Sequence, residues 1–162
     1  MLSNSLFQSL PFAATFAITL CLGLTLVAIS VIDLRTLRIP DVLSLPLIGA
    51  GLALALTAPD VYSVDHLIGA IAAFALFAGL GGLYYRVRNV DGLGLGDAKL
   101  FAAAGAWLGW QNLPMVLLIA TLGGLTQALL MRTTHRDLQL AFGPWIALGF
   151  WATWLLICFK SN

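Results

Sequence analysis

Charged residues are scarce in this sequence, and their scarcity excludes a water-soluble domain. Lys, Arg, Asp and Glu together make up 9% of the 162 residues, against about 25% in a typical soluble domain. Hydrophobic residues make up 60%, so the composition predicts an integral membrane protein. The net charge is +1, and the few basic residues are scattered over short segments. They form no stripe, and a nucleic-acid partner is therefore not expected.

Cysteine is also scarce, which argues against two further classes of protein. Cys21 and Cys158 each lie in an apolar stretch, and neither has a second Cys or a His at the spacing of metal ligands. This pattern indicates neither a disulfide framework nor a zinc site. We interpret both cysteines as packing residues and expect no metal.

The apolar runs between charged residues predict six membrane spans. The first 32 residues contain no charged side chain, so they lack the basic start of a secretory signal, and the first run is interpreted as an uncleaved span. No internal repeat or linker divides the chain, so residues 1–162 are expected to form one all-α, polytopic membrane domain. The predicted spans are Pro11 to Ile32, Val42 to Ala58, His66 to Tyr85, Ala98 to Leu113, Pro114 to Leu130 and Ala141 to Phe159.

The basic residues lie mainly on one side of these spans. Seven of the eight fall within or just beyond three loops, Asp33 to Asp41, Arg86 to Asp97 and Met131 to Leu140, with Lys99 directly after the second loop. Only Lys160 falls on the opposite side. The positive-inside rule therefore predicts that the three loops are cytoplasmic and that both termini face outward.

Two carboxylates are placed where spans should meet the cytoplasm. Asp33 ends the first span and Asp97 begins the fourth, so alternating spans bring both to one side of the bilayer. Two carboxylates within a few ångströms cannot both ionise cheaply, so one of them keeps a proton. The ionised member can then deprotonate a water while its neighbour donates to a peptide carbonyl. The pair predicts an intramembrane aspartic protease.

The residues around Asp97 form a locally distinctive segment. Gly94 and Gly96 lack Cβ atoms, so they accept positive φ and allow a substrate backbone or a neighbouring helix to approach Asp97 closely. From Asp97 to Trp110 there are 14 residues, roughly 21 Å of helix against about 30 Å of hydrocarbon. Asp97 is therefore expected below the interface in a wetted cavity.

Glycine spacing within the same span predicts a close helix contact. Gly105 and Gly109 have the spacing of a small-residue contact face in membrane helices. Lys99 lies two residues after Asp97, and two interpretations of it stay open. It either tunes the aspartate pair or holds the substrate near the membrane face, or else it extends to the interface from a helix end.

Three segments resemble the signatures of bacterial type IV prepilin peptidases, which are membrane aspartic proteases of the GxGD type. Residues 94–111, GLGDAKLFAAAGAWLGWQ, closely resemble the family's active-site signature. Residues 33–47, DLRTLRIPDVLSLPL, look like its other aspartate-bearing signature, and residues 142–149, FGPWIALG, provide a third match. The matches occur in the family's order and extend over most of the chain.

This resemblance implies specific roles and substrates. Asp33 and Asp97 would be the catalytic pair, supported by Gly94, Gly96 and Lys99. The substrates would be prepilins of type IV pili or pseudopilins of type II secretion, whose short basic leaders are cut at the cytoplasmic face of the inner membrane. No metal or other cofactor is implied.

The leader's lysines need acidic or anionic partners at the membrane face. Asp41, which follows Pro40 at the start of the second span, and Asp91 are candidates, as are lipid phosphates.

One feature departs from many family members, which have a cytoplasmic domain with two Cys-x-x-Cys pairs and often methylate the new amino terminus. This sequence contains no such pair and no glycine-rich loop between a strand and a helix. We therefore expect a short form with peptidase activity, and neither methyl transfer nor binding of S-adenosylmethionine.

Three alternatives stay open. The first is a GxGD protease that acts on archaeal-type preflagellins or on a non-pilin membrane substrate. The second is a small proton-coupled carrier with paired aspartates, although the inverted repeats common in carriers are not evident here. The third is a membrane subunit without chemistry, in which both aspartates are ordinary polar caps at span ends.

Overall fold

The computed structural model describes residues 12–57, 63–88, 94–132 and 141–161. Regular secondary structure within these ranges is entirely helical. Six α-helices correspond one to one, and in order, to the six predicted spans, which confirms the all-α polytopic fold class. The helices are α1 Phe12–Thr36, α2 Asp41–Leu56, α3 Ser63–Arg88, α4 Leu95–Leu108, α5 Leu113–Arg132 and α6 Gly143–Ser161, and a short 3-10 turn, Trp110–Asn112, precedes α5.

Three helical segments of the described chain are long and apolar enough to cross a membrane by length and composition. Two shorter helices, α2 and α6, are also apolar. Large hydrophobic side chains such as Phe16, Leu20 and Leu24 are exposed along α1, as expected where a helix faces lipid and not water. The three long segments are Ala13–Thr36, Ser63–Val87 and Trp110–Leu130.

Helix α4 lies at the centre of the bundle. Ala98 and all residues from Leu100 to Leu108 are buried, and α4 packs against α2, α3, α5 and α6. A helix that is apolar on every face is stable only when other helices or lipid surround it. Because α4 is enclosed, its amino-terminal end, which bears Asp97, lies among the ends of neighbouring helices.

The predicted fourth span is wrong at its carboxyl end. The sequence predicted that the span would continue to Leu113, but α4 ends at Leu108 because Gly109 has a φ of 74° and a ψ of 165°. This conformation is almost restricted to glycine. The N–H of Gly109 donates to the Gly105 carbonyl at 3.0 Å and closes the helix. Hydropathy does not detect this stop, because the residues on both sides of it are apolar.

The predicted small-residue contact face is confirmed at Gly105, whereas Gly109 lies beyond the end of α4. A Cβ added to Gly69 of α3 would lie 2.7 Å from the Gly105 carbonyl oxygen and 2.8 Å from the Trp110 backbone nitrogen. The two helices therefore meet backbone to backbone, as small residues permit in membrane helices.

Polar contacts far from Asp97 fix the position of α4 along its axis. The indole N–H of Trp107 donates to the Leu47 carbonyl of α2 at 2.8 Å. His66 of α3 has its Nδ1 2.9 Å from the Ala106 carbonyl, so this residue, which the sequence placed at the start of the third span, contacts α4. Asp65 accepts hydrogen bonds from Trp110 Nε1 and Gln111 Nε2 at 3.2 and 3.1 Å.

The last helix, α6, packs beside the first. A Cβ at Gly23 of α1 would lie 2.6 Å from Cη2 of Trp151, so glycine allows the indole to lie directly against the α1 backbone. Trp154 Nε1 donates to the Thr19 hydroxyl of α1 at 3.1 Å. This packing brings the start of α6 close to the end of α1, where Asp33 is located.

Candidate active site

Asp33 lies in the last turn of α1, and its side chain is only 5% exposed. The helix ends at Thr36, because Leu37 has a φ of 53° and its N–H donates to the Asp33 carbonyl at 2.8 Å. A left-handed residue that closes the last turn is a common helix end, although glycine usually occupies the position. Residues 37–40 then lead to α2.

The carboxylate of Asp33 accepts a hydrogen bond from the last helix. The backbone N–H of Gly143, the first residue of α6, donates to Asp33 Oδ2 at 3.1 Å. A Cβ at residue 143 would lie 2.6 Å from Oδ2 and 3.0 Å from Cγ of Asp33. Only a glycine therefore allows this approach without a shift of the carboxylate. The free N–H groups at a helix start also favour a negative charge.

Asp97 lies in the first turn of α4 and is partly exposed. Gly94 is the N-cap, with a φ of −70°, and its carbonyl accepts from the Asp97 N–H at 3.0 Å. Within the described residues Gly109 is the glycine with positive φ, so Gly94 and Gly96 do not use the positive φ that their lack of Cβ permits. Both glycines adopt ordinary backbone conformations, because Gly94 caps α4 in an extended conformation and Gly96 belongs to the helix itself.

The prediction of a close approach is confirmed for Gly96. A Cβ there would lie 2.9 Å from Cβ and 3.3 Å from N of Ile39, so the connection between α1 and α2 packs directly on the start of α4. At Gly94 the nearest atom to an added Cβ would be Asp97 Oδ2 at 3.7 Å, which is an ordinary contact. Among the two motif glycines, Gly96 is the one whose missing Cβ the packing requires.

Both aspartates line one open cleft of about 270 Å³, formed by the end of α1 and the starts of α2 and α4. The two carboxylates are close enough to interact electrostatically. The structure thus brings together the two residues that the sequence singled out. The other lining residues are Leu37, Arg38, Ile39, Asp41, Gly94, Leu95, Gly96 and Lys99.

Lys99 and Asp41 form an ion pair across this cleft. Lys99 Nζ lies 2.6 Å from Asp41 Oδ1, with the two side chains 24% and 57% exposed. Asp41 is the first residue of α2 and follows the N-cap Pro40, where a negative charge suits the helix dipole. An exposed pair of this kind contributes at most about 1 kcal/mol, so its main effect is to link the starts of α2 and α4.

Asp91, the other candidate for binding the leader, lies outside the described residues. Within the described ranges no group of three or more His, Cys, Asp or Glu side chains is arranged to hold a metal ion.

Sequence reasoning did not assign a role to Gly143, Ile39 or Leu37. Gly143 was noted only as part of the third matching segment, FGPWIALG. The signal for its role was a glycine immediately before a proline at a span start, because proline suits the first turn of a helix. Nothing local in the sequence connects that glycine to Asp33, which lies 110 positions earlier.

Comparisons with known proteins identify relatives that match most of the chain. The type IV leader peptidase family matches residues 9–129. A prepilin leader peptidase/N-methyltransferase of Escherichia coli (strain K12) is 45% identical over 131 residues, which cover 80% of this chain and 57% of that protein. The protein of the same description from Dickeya chrysanthemi is 43% identical over 155 residues, 92% of this chain and 53% of that protein.

A third relative with the same description, from Aeromonas hydrophila, is 40% identical over 135 residues, 82% of this chain and 47% of that protein. The chain spans about half the length of the curated relatives that it matches. No solved structure gives a significant match.

Proposed function

Because the chain belongs to the type IV leader peptidase family, we propose that it is an aspartic endopeptidase that removes leaders from type IV prepilins or type II secretion pseudopilins. The main support is that Asp33 and Asp97, one from each aspartate-bearing signature, line the same cleft. The printed names of the relatives describe prepilin leader peptidases. N-methylation, the second activity in those names, is not part of the proposal.

The proposed chemistry is hydrolysis by a shared-proton pair. The ionised carboxylate removes a proton from a water, and the water oxygen attacks the scissile carbonyl carbon while the protonated carboxyl donates to the carbonyl oxygen. When the tetrahedral intermediate collapses, the carbon–nitrogen bond breaks, the leaving amine takes up the proton first removed from the water, and one hydroxyl of the intermediate returns its proton to the carboxylate that had donated to the carbonyl oxygen. The pair returns to one proton and one negative charge.

We further propose that the cleft faces the cytoplasm from the bacterial inner membrane, with both chain ends on the other side. Arg38 and Lys99 line the cleft, and Arg35 lies in the last turn of α1 beside it. The opposite end of the bundle instead presents Asp65 and its partners on the 3-10 turn. This distribution of charge follows the positive-inside rule.

The catalytic roles are tested by coexpressing the chain with a prepilin that bears its leader. Asp33→Asn and Asp97→Asn should each nearly abolish cleavage, because the two carboxyls act as one unit and neither variant retains the shared-proton chemistry. The readout is the shift in size of the prepilin on a gel, at matched amounts of membrane-inserted enzyme.

Asp65→Asn is the matched control, because Asp65 is a membrane-end aspartate remote from the cleft, and it should retain cleavage. Cleavage retained in Asp97→Asn would remove the protease assignment. If the chain is a proton-coupled carrier or a subunit without chemistry, neither the wild type nor any variant should change the size of the prepilin. If only a preflagellin or another membrane substrate is cut, the peptidase is retained and the substrate class is corrected.

A further inference from the structure

The carboxylate of Asp33 has one oxygen engaged by a backbone donor. Its Oδ2 accepts from the Gly143 N–H at 3.1 Å, and donor and acceptor residues are both buried. A buried hydrogen bond to an ionised group is stronger and more directional than one between neutral groups. The bond therefore fixes the plane of the carboxylate and leaves Oδ1 as the oxygen available to a water or to Asp97.

Gly143 also lies against Ile39, which lines the cleft. Ile39 is 8% exposed, and an added Cβ at Gly143 would lie 3.1 Å from its Cδ1. On its other side, Ile39 contacts Gly96, the neighbour of Asp97, where an added Cβ would lie 2.9 Å from the Ile39 Cβ. The distance between the starts of α4 and α6 is thus set by one isoleucine between two glycines.

From these contacts we propose that Gly143 is a positioning residue of the aspartate pair. Its N–H holds Asp33, and its missing Cβ allows α6 to approach both Asp33 and Ile39. In this proposal Gly143 acts on the reaction through the position of Asp33. The inference rests on the proposed peptidase function and adds a third residue to its site.

The test compares two Gly→Ala variants on the same helix. In Gly143→Ala the added Cβ would lie 2.6 Å from Asp33 Oδ2, and in Gly149→Ala it would lie 2.6 Å from the Val116 carbonyl oxygen. The two methyl groups meet an oxygen at the same distance, and only the first oxygen belongs to the proposed pair. General damage to packing should therefore affect both variants, whereas misplacement of Asp33 is specific to Gly143→Ala.

For Gly143→Ala we expect kcat for prepilin cleavage to fall about 100-fold, the effect of a misplacement near 1 Å, with little change in KM. The acid limb of the pH–rate profile should also move to higher pH, because the ionised form of Asp33 loses part of its donor. The other charged groups of the cleft, Asp97, Asp41, Lys99 and Arg38, are the same in both variants. Gly149→Ala should lose thermal stability and keep the profile of the wild type.

If Gly143→Ala does not accumulate as folded protein, the same substitution is tested in a chain that also carries Ile39→Val. Ile39→Val removes the Cδ1 atom near residue 143 and opens space for the alanine methyl group. The close contact between that methyl group and Asp33 Oδ2 remains. Ile39→Val alone provides the baseline rate, and the double variant should be folded and should cleave more slowly than Ile39→Val.

Near-normal kcat and an unshifted pH profile in folded Gly143→Ala or in the double variant would overturn the proposal, as would an equal shift in Gly149→Ala. These results would leave the peptidase assignment intact, provided that Asp33→Asn is inactive. If the wild type itself cuts no prepilin, the proposed function fails first.

Discussion

At the scale of single residues, the ion pair between Lys99 and Asp41 changes how both side chains are interpreted. The sequence allowed Lys99 to act on the aspartate pair or to extend towards the interface. In the structure Lys99 Nζ lies 2.6 Å from Asp41 Oδ1, so its nearest acidic partner is the residue considered for leader binding. A leader lysine must therefore compete with Lys99 for Asp41, and single variants can separate the two roles.

If Asp41 receives a leader lysine, Asp41→Asn should slow cleavage by up to about 5-fold, the effect of losing one exposed charge pair of at most about 1 kcal/mol. Lys99→Met should leave the rate unchanged or raise it, because it frees Asp41. The measurement is the rate of cleavage of a prepilin with a basic leader at low and moderate salt, since salt screens exposed charges.

If Lys99→Met cleaves the prepilin slowly and Asp41→Asn cleaves it at the normal rate, the leader hypothesis is contradicted. That result would favour an action of Lys99 on the aspartate pair. A prepilin whose leader lysines are replaced by glutamine is the matched substrate control. It should be cut at the same rate by the wild type and by Asp41→Asn.

At the scale of elements, the first turn of α4 is where a glycine motif becomes a packing requirement. The two glycines around Leu95 look equivalent in the sequence, but their surroundings differ. Gly96 faces the backbone and side chain of Ile39, whereas Gly94 faces open space except for Asp97 at 3.7 Å. The connection between α1 and α2 therefore rests on one of these glycines only.

Gly96→Ala should destabilise the bundle by about 1–3 kcal/mol, the usual cost of overpacking, and should slow cleavage because the start of α4 moves relative to Asp33. Gly94→Ala, the control, adds a methyl at ordinary contact distance and should change stability little. Thermal unfolding in detergent and the cleavage rate measure both effects. Equal losses in the two variants would contradict the packing account.

At the scale of the whole molecule, the central helix is short and is enclosed by α2, α3, α5 and α6. Helix α4 is 14 residues long, roughly 21 Å of helix in a hydrocarbon layer of about 30 Å. The amino-terminal end of α4 lies beside the end of α1 and the start of α2, and the cleft opens there. The place of the cleft therefore follows from where these three helices begin and end.

The orientation of the bundle can be measured with single cysteines in a variant that lacks Cys21 and Cys158. Arg38 and Gln111 are both exposed and lie at opposite ends of the bundle. A membrane-impermeant maleimide added to spheroplasts should label Gln111→Cys directly and Arg38→Cys only after lysis. The opposite pattern would contradict the proposed cytoplasmic cleft.

Much of the fold follows from local properties of the sequence. Hydropathy and the spacing of charges determine that the chain enters a membrane, how many helices form and about where each begins. Each of these outcomes depends on which side chains of one segment move from water into lipid. The identity of the two aspartates is equally visible, since an acidic side chain at a span end stands out from its surroundings. The family resemblance drawn from the same segments is confirmed by the family match.

Only the tertiary structure decided which groups meet at those aspartates. That Gly143 holds Asp33, that Ile39 separates two glycines and that Lys99 pairs with Asp41 are contacts between distant segments. Apolar helices of similar composition can pack in many registers, and hydropathy does not distinguish these registers. The choice among them is made by close contacts, where a single missing Cβ determines how near two helices can come.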